Sequence, residues 1–151
     1  MSNYNAITRS NLFRVKDRET FEAWCRMHEL EYRTEQVKDM GHCYAISAAD
    51  PFIGWPFYDE EADQGIDIYE ELARHLDNND VAVLFEVGFE GDRYVQGFAH
   101  AIHADGRVVS LNLLDIYQRA RQEFGKDINI THDRGWDHPK LADVVLKKWV
   151  P

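Results

Sequence analysis

The sequence predicts an antiparallel α+β domain, and three observations carry that prediction. Residues 81–113 alternate apolar with small or polar side chains in three runs separated by tight turns, which is typical of consecutive antiparallel strands. Helical patterns flank this region, and no glycine-rich phosphate loop joins a strand to a helix. The 151 residues include 44% apolar and 29% charged side chains and no internal linker, so we expect a single soluble domain over residues 1–151.

The three-stranded meander is the most regular part of the sequence. Residues 81–89 alternate with the period of a strand, and Gly91-Asp92 supplies a two-residue turn into a second strand at 94–103. Asp105-Gly106 then supplies a turn into a third strand at 107–111. Because each turn is short, each sets the register of its hairpin.

Two-residue loops predict which side chains share a face of this sheet. Phe85 is then expected to face Phe98, and His100 to face Leu111. One face would be aromatic and aliphatic. The other would carry small side chains around Glu86, leaving room for a helix, a ligand or a second backbone to approach closely.

Capping residues predict helices around the sheet. Asp17 precedes a helical pattern from Arg18 to about Leu30. Asp67 and Asp115 each stand three residues before a Glu or Gln, which is the pattern of a capping box, and Gly125 is placed to end the third helix.

Shorter patterns predict the remaining elements. Alternation indicates strands at residues 11–16, 42–47 and 128–131. Pro139 suits the first position of a last helix with an apolar stripe.

The net charge of −10 is concentrated in the middle of the chain. Residues 40–106 carry fourteen acids and two arginines, whereas residues 1–39 balance and residues 107–151 are slightly basic. Such a field steers basic partners and repels nucleic acid, although acidity that serves only solubility remains the alternative interpretation. Direct nucleic-acid binding is not expected, because the sequence has no stripe of Lys and Arg.

The cysteines and the hydropathy pattern indicate a cytoplasmic protein. Cys25 and Cys43 are too few for a disulfide framework and suit a reducing compartment, although their spacing leaves one disulfide open. No apolar run is long enough to cross a bilayer, and the first residues lack a signal-peptide pattern. We expect no membrane association.

Two groups of potential metal ligands occur, and neither predicts a site. The first has poor spacing for zinc. It consists of Cys25, His28, His42 and Cys43. The second lies in one loop, where helix capping explains its residues as well as metal binding does. It consists of His132, Asp133, Asp137 and His138.

The loop at residues 49–65 carries the predicted functional residues. Its segment 50–58 packs four aromatic residues and two prolines together, which is too apolar for an idle linker. It either folds back as a lid over the core or presents aromatic anchors beside an acidic rim. The predicted partner-binding residues are Trp55, Phe57, Tyr58, Asp59, Glu60, Glu61, Asp63, Asp67, Glu70 and Glu71.

Two segments of the sequence resemble a family of small acidic proteins carried on phages and conjugative elements. They are SNLFRVKD at residues 10–17 and VAVLFEV at residues 81–87. The resemblance assigns no catalytic residue. It implies a mobile-element context, in which small acidic proteins often resemble antirestriction and anti-CRISPR inhibitors that bind host defence complexes and sometimes imitate DNA.

The sequence therefore favours a non-enzymatic module, without metal or cofactor, that binds a basic host protein or ribonucleoprotein complex and inhibits a nucleic-acid-handling defence system. One alternative is a small-ligand-binding protein or enzyme with Glu86 as acid or base and Tyr94, His100 or His132 nearby. A second alternative is a structural or scaffold protein of a phage. The sequence leaves the oligomeric state open.

Overall fold

The structure is a computed structural model that describes residues 4–50, 54–59, 61–91 and 94–130, without the side chains of Tyr58 and Tyr94. It confirms an α+β fold with antiparallel sheets. In chain order the elements are β1 (Tyr4–Ser10), α1 (Arg18–Met27), β2 (Leu30–Val37), β3 (Gly41–Ala48), β4 (Tyr58–Asp59), β5 (Gln64–Gly65), α2 (Ile68–His75), β6 (Val81–Glu90), β7 (Tyr94–His103), β8 (Val108–Asn112) and α3 (Asp115–Phe124).

The main sheet has four strands in the order β1-β6-β7-β8, so the predicted meander is confirmed. The β2–β3 hairpin forms a separate two-stranded sheet, which side chains of β1 join to the main sheet. Thr8 Oγ1 accepts a hydrogen bond from Ala48 N, and Ser10 Oγ accepts one from Ile46 N, both at 2.8 Å. Two hydroxyl groups therefore supply the acceptors that carbonyls would supply in a regular ladder.

The register of the meander differs from the prediction by one residue in each hairpin. Glu90 pairs with Tyr94, so three residues separate the strands, and Phe85 faces Ala99. In the second hairpin His100 faces Ser110. Since side chains alternate along a strand, a shift of one residue exchanges the faces of the partner strand. The predicted pairing of Phe85 with Phe98 and of His100 with Leu111 is therefore wrong.

One face of the sheet, which we call the inner face, packs against α1 and α2. It presents Leu84, Phe98 and Ile102 to a core that also contains Phe21 from α1 and Leu72 from α2. The small side chains predicted around Glu86 on β6 do lie where helices and a loop approach. On β7, however, the residues that share this face are the large ones.

The predicted helix caps of α1 and α2 are confirmed, and that of α3 is wrong. Asp17 accepts a hydrogen bond from Thr20 N at 2.8 Å, and Asp67 accepts one from Glu70 N at 3.0 Å. Asp115 is already the first residue of α3, and its carboxylate accepts from Asn112 N instead. Gly125 ends α3 with a φ of 102°, as expected.

Three other boundaries differ from the prediction. Residues 11–16 form isolated bridges at Phe13 and Val15, and the first strand comes earlier, at β1. Leu30 begins β2 and does not end α1. Residues 128–130 form no strand. The metal-ligand loop that begins at His132 and the helix predicted after Pro139 lie outside the described residues.

Candidate functional site

The predicted carboxylates form an acidic surface on α2 and on the turn before it. We use the name acidic surface for Asp59, Glu61, Asp63, Asp67, Glu70 and Glu71. Glu61, Asp63, Asp67 and Glu70 are exposed, and Asp59 and Glu71 are partly buried. Arg74 pairs with Glu70 on the same helix. Glu60 lies outside the described residues.

Local hydrogen bonds hold the backbone of the acidic surface. Asp59 Oδ1 accepts from the backbone N–H of Glu61 at 3.0 Å and of Ala62 at 3.1 Å, which closes the turn between β4 and β5. The next acid, Asp67, caps α2. Two of the predicted binding residues thus also shape the surface on which the others are displayed.

The helix below the acidic surface is firmly packed. Ile68, Leu72 and Leu76 are buried in the core against the inner face. The carboxylates of Asp67 and Glu70 therefore stand on the side of α2 that points away from the sheet.

Trp55 is an anchor of the loop and not an exposed contact. Its side chain is 1% exposed, its indole N–H donates to the carbonyl of Phe85 at 3.1 Å, and its backbone N–H donates to Glu86 Oε1 at 2.9 Å. Phe57 is half-buried and packs against Tyr69. The lid interpretation of the loop therefore holds for Trp55, and the prediction that Trp55 presents an aromatic anchor to a partner is wrong, because its ring is buried.

Glu86 lies inside the protein at the point where the loop meets the sheet. The residue is 1% exposed, and its second oxygen accepts from the Tyr4 hydroxyl at 2.7 Å. Two glycines make room for it: a Cβ at Gly54 would lie 2.0 Å from Glu86 Oε1, and one at Gly88 would lie 2.1 Å from the Tyr4 oxygen. Burial, followed by the hydrogen bond to Glu86, raises the pKa of Tyr4.

This arrangement does not favour the enzyme alternative. Each oxygen of Glu86 already accepts a hydrogen bond, and the face that carries the residue is the packed inner face. The side chain of Tyr94 and all of His132 lie outside the described parts, so their predicted proximity to Glu86 stays a prediction.

His100 is also part of the inner face. It is 2% exposed, its Nδ1 lies 2.6 Å from Ser110 Oγ, and its ring packs 4.6 Å from the ring of Tyr69. Desolvation lowers the pKa of the imidazole from 6.5 to about 4. A serine beside a histidine is the arrangement of many hydrolases, but a ring with this pKa is a weak general base at neutral pH.

Two acids of the middle segment do not contribute to the surface charge. Asp80 is buried beside Arg14, whose guanidinium lies 2.7 Å from its carboxylate and whose backbone N–H donates to it at 2.6 Å. Burial tends to raise the pKa of Asp80, but the hydrogen bonds from Arg14 outweigh it and the pKa is lowered. With Glu86 also interior, Asp105 is the one exposed acid that the structure describes within residues 40–106 outside the acidic surface.

A cleft of about 400 Å³ opens between α1 and α2 beside the acidic surface. Glu71 and Arg74 lie on the α2 side, and Trp24 lies on the α1 side. The Trp24 indole N–H has no hydrogen-bond partner among the described residues. The cleft gives the acidic surface a recess large enough for a side chain of a partner.

The cysteines and histidines predicted to lack zinc spacing are not assembled into a site. Cys25 and Cys43 are both free thiols and buried. Burial raises the pKa of Cys25 to about 12, which disfavours the thiolate that binds metals. In the part of the chain that the structure describes, no group of three or more His, Cys, Asp or Glu could hold a metal ion.

The other face of the main sheet, which we call the outer face, corresponds on β6 to the predicted aromatic and aliphatic face, but the sequence did not indicate that this face is exposed. Its exposed large apolar residues are Ile7, Val81, Phe85, Val87, Phe89, Val95, Val109 and Leu111. Ile7 and Val109 are each 73% exposed. The sequence contains the necessary signal, the odd-numbered apolar residues of β6, but the one-residue error in register assigned them partners of the wrong face.

Comparison of the chain with protein-family models, with curated proteins and with solved structures gave no match. Among the described residues, the helices are all too short or too polar to cross a bilayer.

Proposed function

We propose that this protein is a non-enzymatic binding module whose acidic surface recognises a basic protein partner. The observation that supports this most directly is the charge of residues 59–77, which contain eight carboxylates and a single arginine, Arg74. The described carboxylates between Glu61 and Glu70 are exposed. Such a concentration of one charge raises the rate at which a partner of opposite charge is captured.

The fixed backbone beneath the acidic surface favours a role in partner recognition over a role in solubility alone. Carboxylates that serve only solubility can stand anywhere on a surface. Here they follow a turn closed by Asp59, a capped helix and a loop fixed by the burial of Trp55. A backbone held in this way loses little conformational entropy on binding, which increases affinity for a given set of contacts.

The class of partner follows from the same charge. Lys-rich and Arg-rich surfaces are typical of proteins that handle nucleic acids, and exposed carboxylates can occupy the positions of phosphates on such a surface. The resemblance to small acidic proteins of mobile elements agrees with a host defence complex as the partner and with an inhibitory role.

A neutralised variant tests the proposal. Glu61→Gln, Asp63→Asn and Glu70→Gln together remove three charges from the acidic surface and leave the Asp59 turn and the Asp67 cap intact. The matched control is Glu31→Gln, Glu35→Gln and Asp39→Asn, which removes three exposed charges from β2 and its turn. In each triple variant the aspartate has a positive φ that asparagine also tolerates, 50° at Asp63 and 68° at Asp39.

Immobilised full-length protein would be used to capture proteins from a bacterial lysate at low and high salt, with mass spectrometry as the readout. We expect the wild type and the control to retain the same basic proteins, and the acidic-surface variant to retain them about tenfold less. Retention should fall steeply with salt, and duplex DNA should compete. An identical captured set for the two triple variants, or capture that salt does not weaken, would contradict the proposal.

A further inference from the structure

The outer face is the largest feature of the structure that the proposed function does not use. Apolar patches of this kind on a soluble protein usually mark a site of association. At the strand positions on this side that the structure describes, Arg9 is the one Asp, Glu, Lys or Arg side chain. A face with so little charge is suited to a partner that is itself apolar and uncharged there.

The size of the side chains on the outer face differs between neighbouring strands. Phe85, Val87 and Phe89 form a ridge along β6, with Ile7 beside it on β1. On β7, Ala99 lies opposite Phe85 and Gly97 lies opposite Val87, whereas the larger Val95 lies opposite Phe89. The small residues that β7 contributes to the outer face are Gly97, Ala99 and Ala101.

The next strand, β8, raises a second ridge with Val109 and Leu111. One end of the row between the ridges is filled, since a Cβ at Gly97 would lie 3.0 Å from Leu113. The row stays open at Ala99 and Ala101. A ridge beside a trough on the same surface is self-complementary under a two-fold rotation, because the ridge of one copy can enter the trough of the other.

The area of the outer face is sufficient for a stable pair. Four strands with a spacing of about 4.8 Å and a length of about eight residues give a footprint of roughly 500 Å² per copy. The accessible area is larger because the side chains protrude. Two copies would bury more than about 1,000 Å², which a specific interface requires.

We propose that the outer face binds a second copy of this chain in a symmetric dimer, with the two sheets packed face to face. Sheets packed in this way lie about 10 Å apart with interdigitated side chains. Because α2 covers the inner face, the two acidic surfaces of the dimer point away from each other. The assembly would thus offer two binding surfaces of the same charge.

Single lysines on the outer face test the dimer. Val87→Lys and Val109→Lys each place a charge in the proposed interface, at positions 56% and 73% exposed in one chain, so each variant should fold. Met27→Lys is the matched control, because Met27 is 70% exposed but lies on α1. The mass of the full-length protein would be measured by light scattering and sedimentation at concentrations from about 1 to about 100 µM.

We expect the wild type and Met27→Lys to be dimers, and Val87→Lys and Val109→Lys to dissociate at least about 100-fold more readily. Isotope-filtered NMR on mixed labelled and unlabelled wild-type chains should detect contacts between outer-face methyl groups of two copies. A wild type that is monomeric at the highest concentration would overturn the proposal. The outer face would then be covered by another segment of its own chain or by a different protein. A dimer that persists in both lysine variants would overturn it equally, since its interface would lie elsewhere.

The two proposals fail separately. The acidic-surface variant leaves the outer face unchanged, and the outer-face variants leave the acidic surface unchanged. Loss of capture with an intact dimer, or loss of the dimer with intact capture, identifies the surface concerned.

Discussion

At several positions of the main sheet, polar side chains are buried on the inner face and large apolar side chains are exposed on the outer face, which is the reverse of the usual distribution. The inner face contains a carboxylate, Glu86, and an imidazole, His100, both almost completely buried. The outer face contains exposed phenylalanines and valines. The comparison shows that alternation along a strand reveals two faces but does not say which one is buried, because that depends on what packs against each face.

The polar residues of the inner face are tolerated because each is satisfied or kept neutral. Glu86 receives hydrogen bonds from Tyr4 and from the backbone of Trp55. His100 lies within hydrogen-bond distance of Ser110, and its pKa is lowered so that the ring is uncharged at neutral pH. Buried polar groups persist in proteins under these two conditions.

The largest expected difference between the faces is the cost of deleting a phenylalanine. Phe98 on the inner face is 4% exposed, whereas Phe89 on the outer face is 50% exposed. We expect Phe98→Ala to lower the free energy of unfolding by about 3–5 kcal/mol, through lost burial and the cavity left behind. Phe89→Ala should cost less than about 1.5 kcal/mol.

Urea unfolding of both variants measures this difference. The comparison should be made on the monomer, at low concentration or in the Val87→Lys background, so that dissociation of a dimer does not add to the cost of Phe89→Ala. Equal losses for the two variants would mean that the outer face is as well covered as the inner one.

The next largest effect is a pH dependence specific to the inner face. The pKa of His100 falls from 6.5 when exposed to about 4 when folded. Between these values the unfolded chain binds a proton that the folded chain does not, so stability decreases as the pH falls. The loss amounts to about 1.4 kcal/mol per pH unit and roughly 3 kcal/mol in total.

His100→Asn should flatten this dependence. The amide oxygen of asparagine can replace the ring nitrogen near Ser110, and the side chain does not titrate. Urea unfolding of wild type and variant at several pH values from about 6.5 down to about 4.5 measures the two slopes. Burial also lowers the pKa of His75, which contributes a slope of the same sign in both proteins. Identical slopes would show that His100 does not titrate as described.

Most features with local causes were predicted from the sequence, although the cap of α3 was not. A helix cap needs one side chain and the backbone three residues on, and Asp17 and Asp67 both make that bond. The meander followed from alternation and turn residues. The register of the first hairpin was predicted wrongly because Gly91-Asp92 indicates a turn but not the number of residues in its loop. The loop has three residues and not two, which places Phe98 on the inner face.

The exposed charges of the candidate site could be predicted from the sequence, but the buried position of Trp55 could not. Exposure of Glu61, Asp63 and Glu70 agrees with their polarity, which is a property of each residue alone. Burial of Trp55 depends on Glu86, thirty-one residues later, and nothing in the segment around Trp55 indicates that partner. Contacts of this range are fixed by the tertiary structure, which a local pattern does not encode.

The smallest effect that separates the faces is the addition of one methyl group to a glycine. At Gly88 the new Cβ would displace the Tyr4 hydroxyl from Glu86, whereas at Gly97 it would meet the side chain of Leu113, which is 51% exposed and can move. We expect Gly88→Ala to cost about 1–3 kcal/mol and Gly97→Ala to stay within about 1 kcal/mol of the wild type. Tyr4→Phe removes the same hydrogen bond as Gly88→Ala, so the double variant should cost less than the sum of the two, as measured by urea unfolding. Additive losses would show that the tight space at Gly88 does not act through Tyr4 and Glu86.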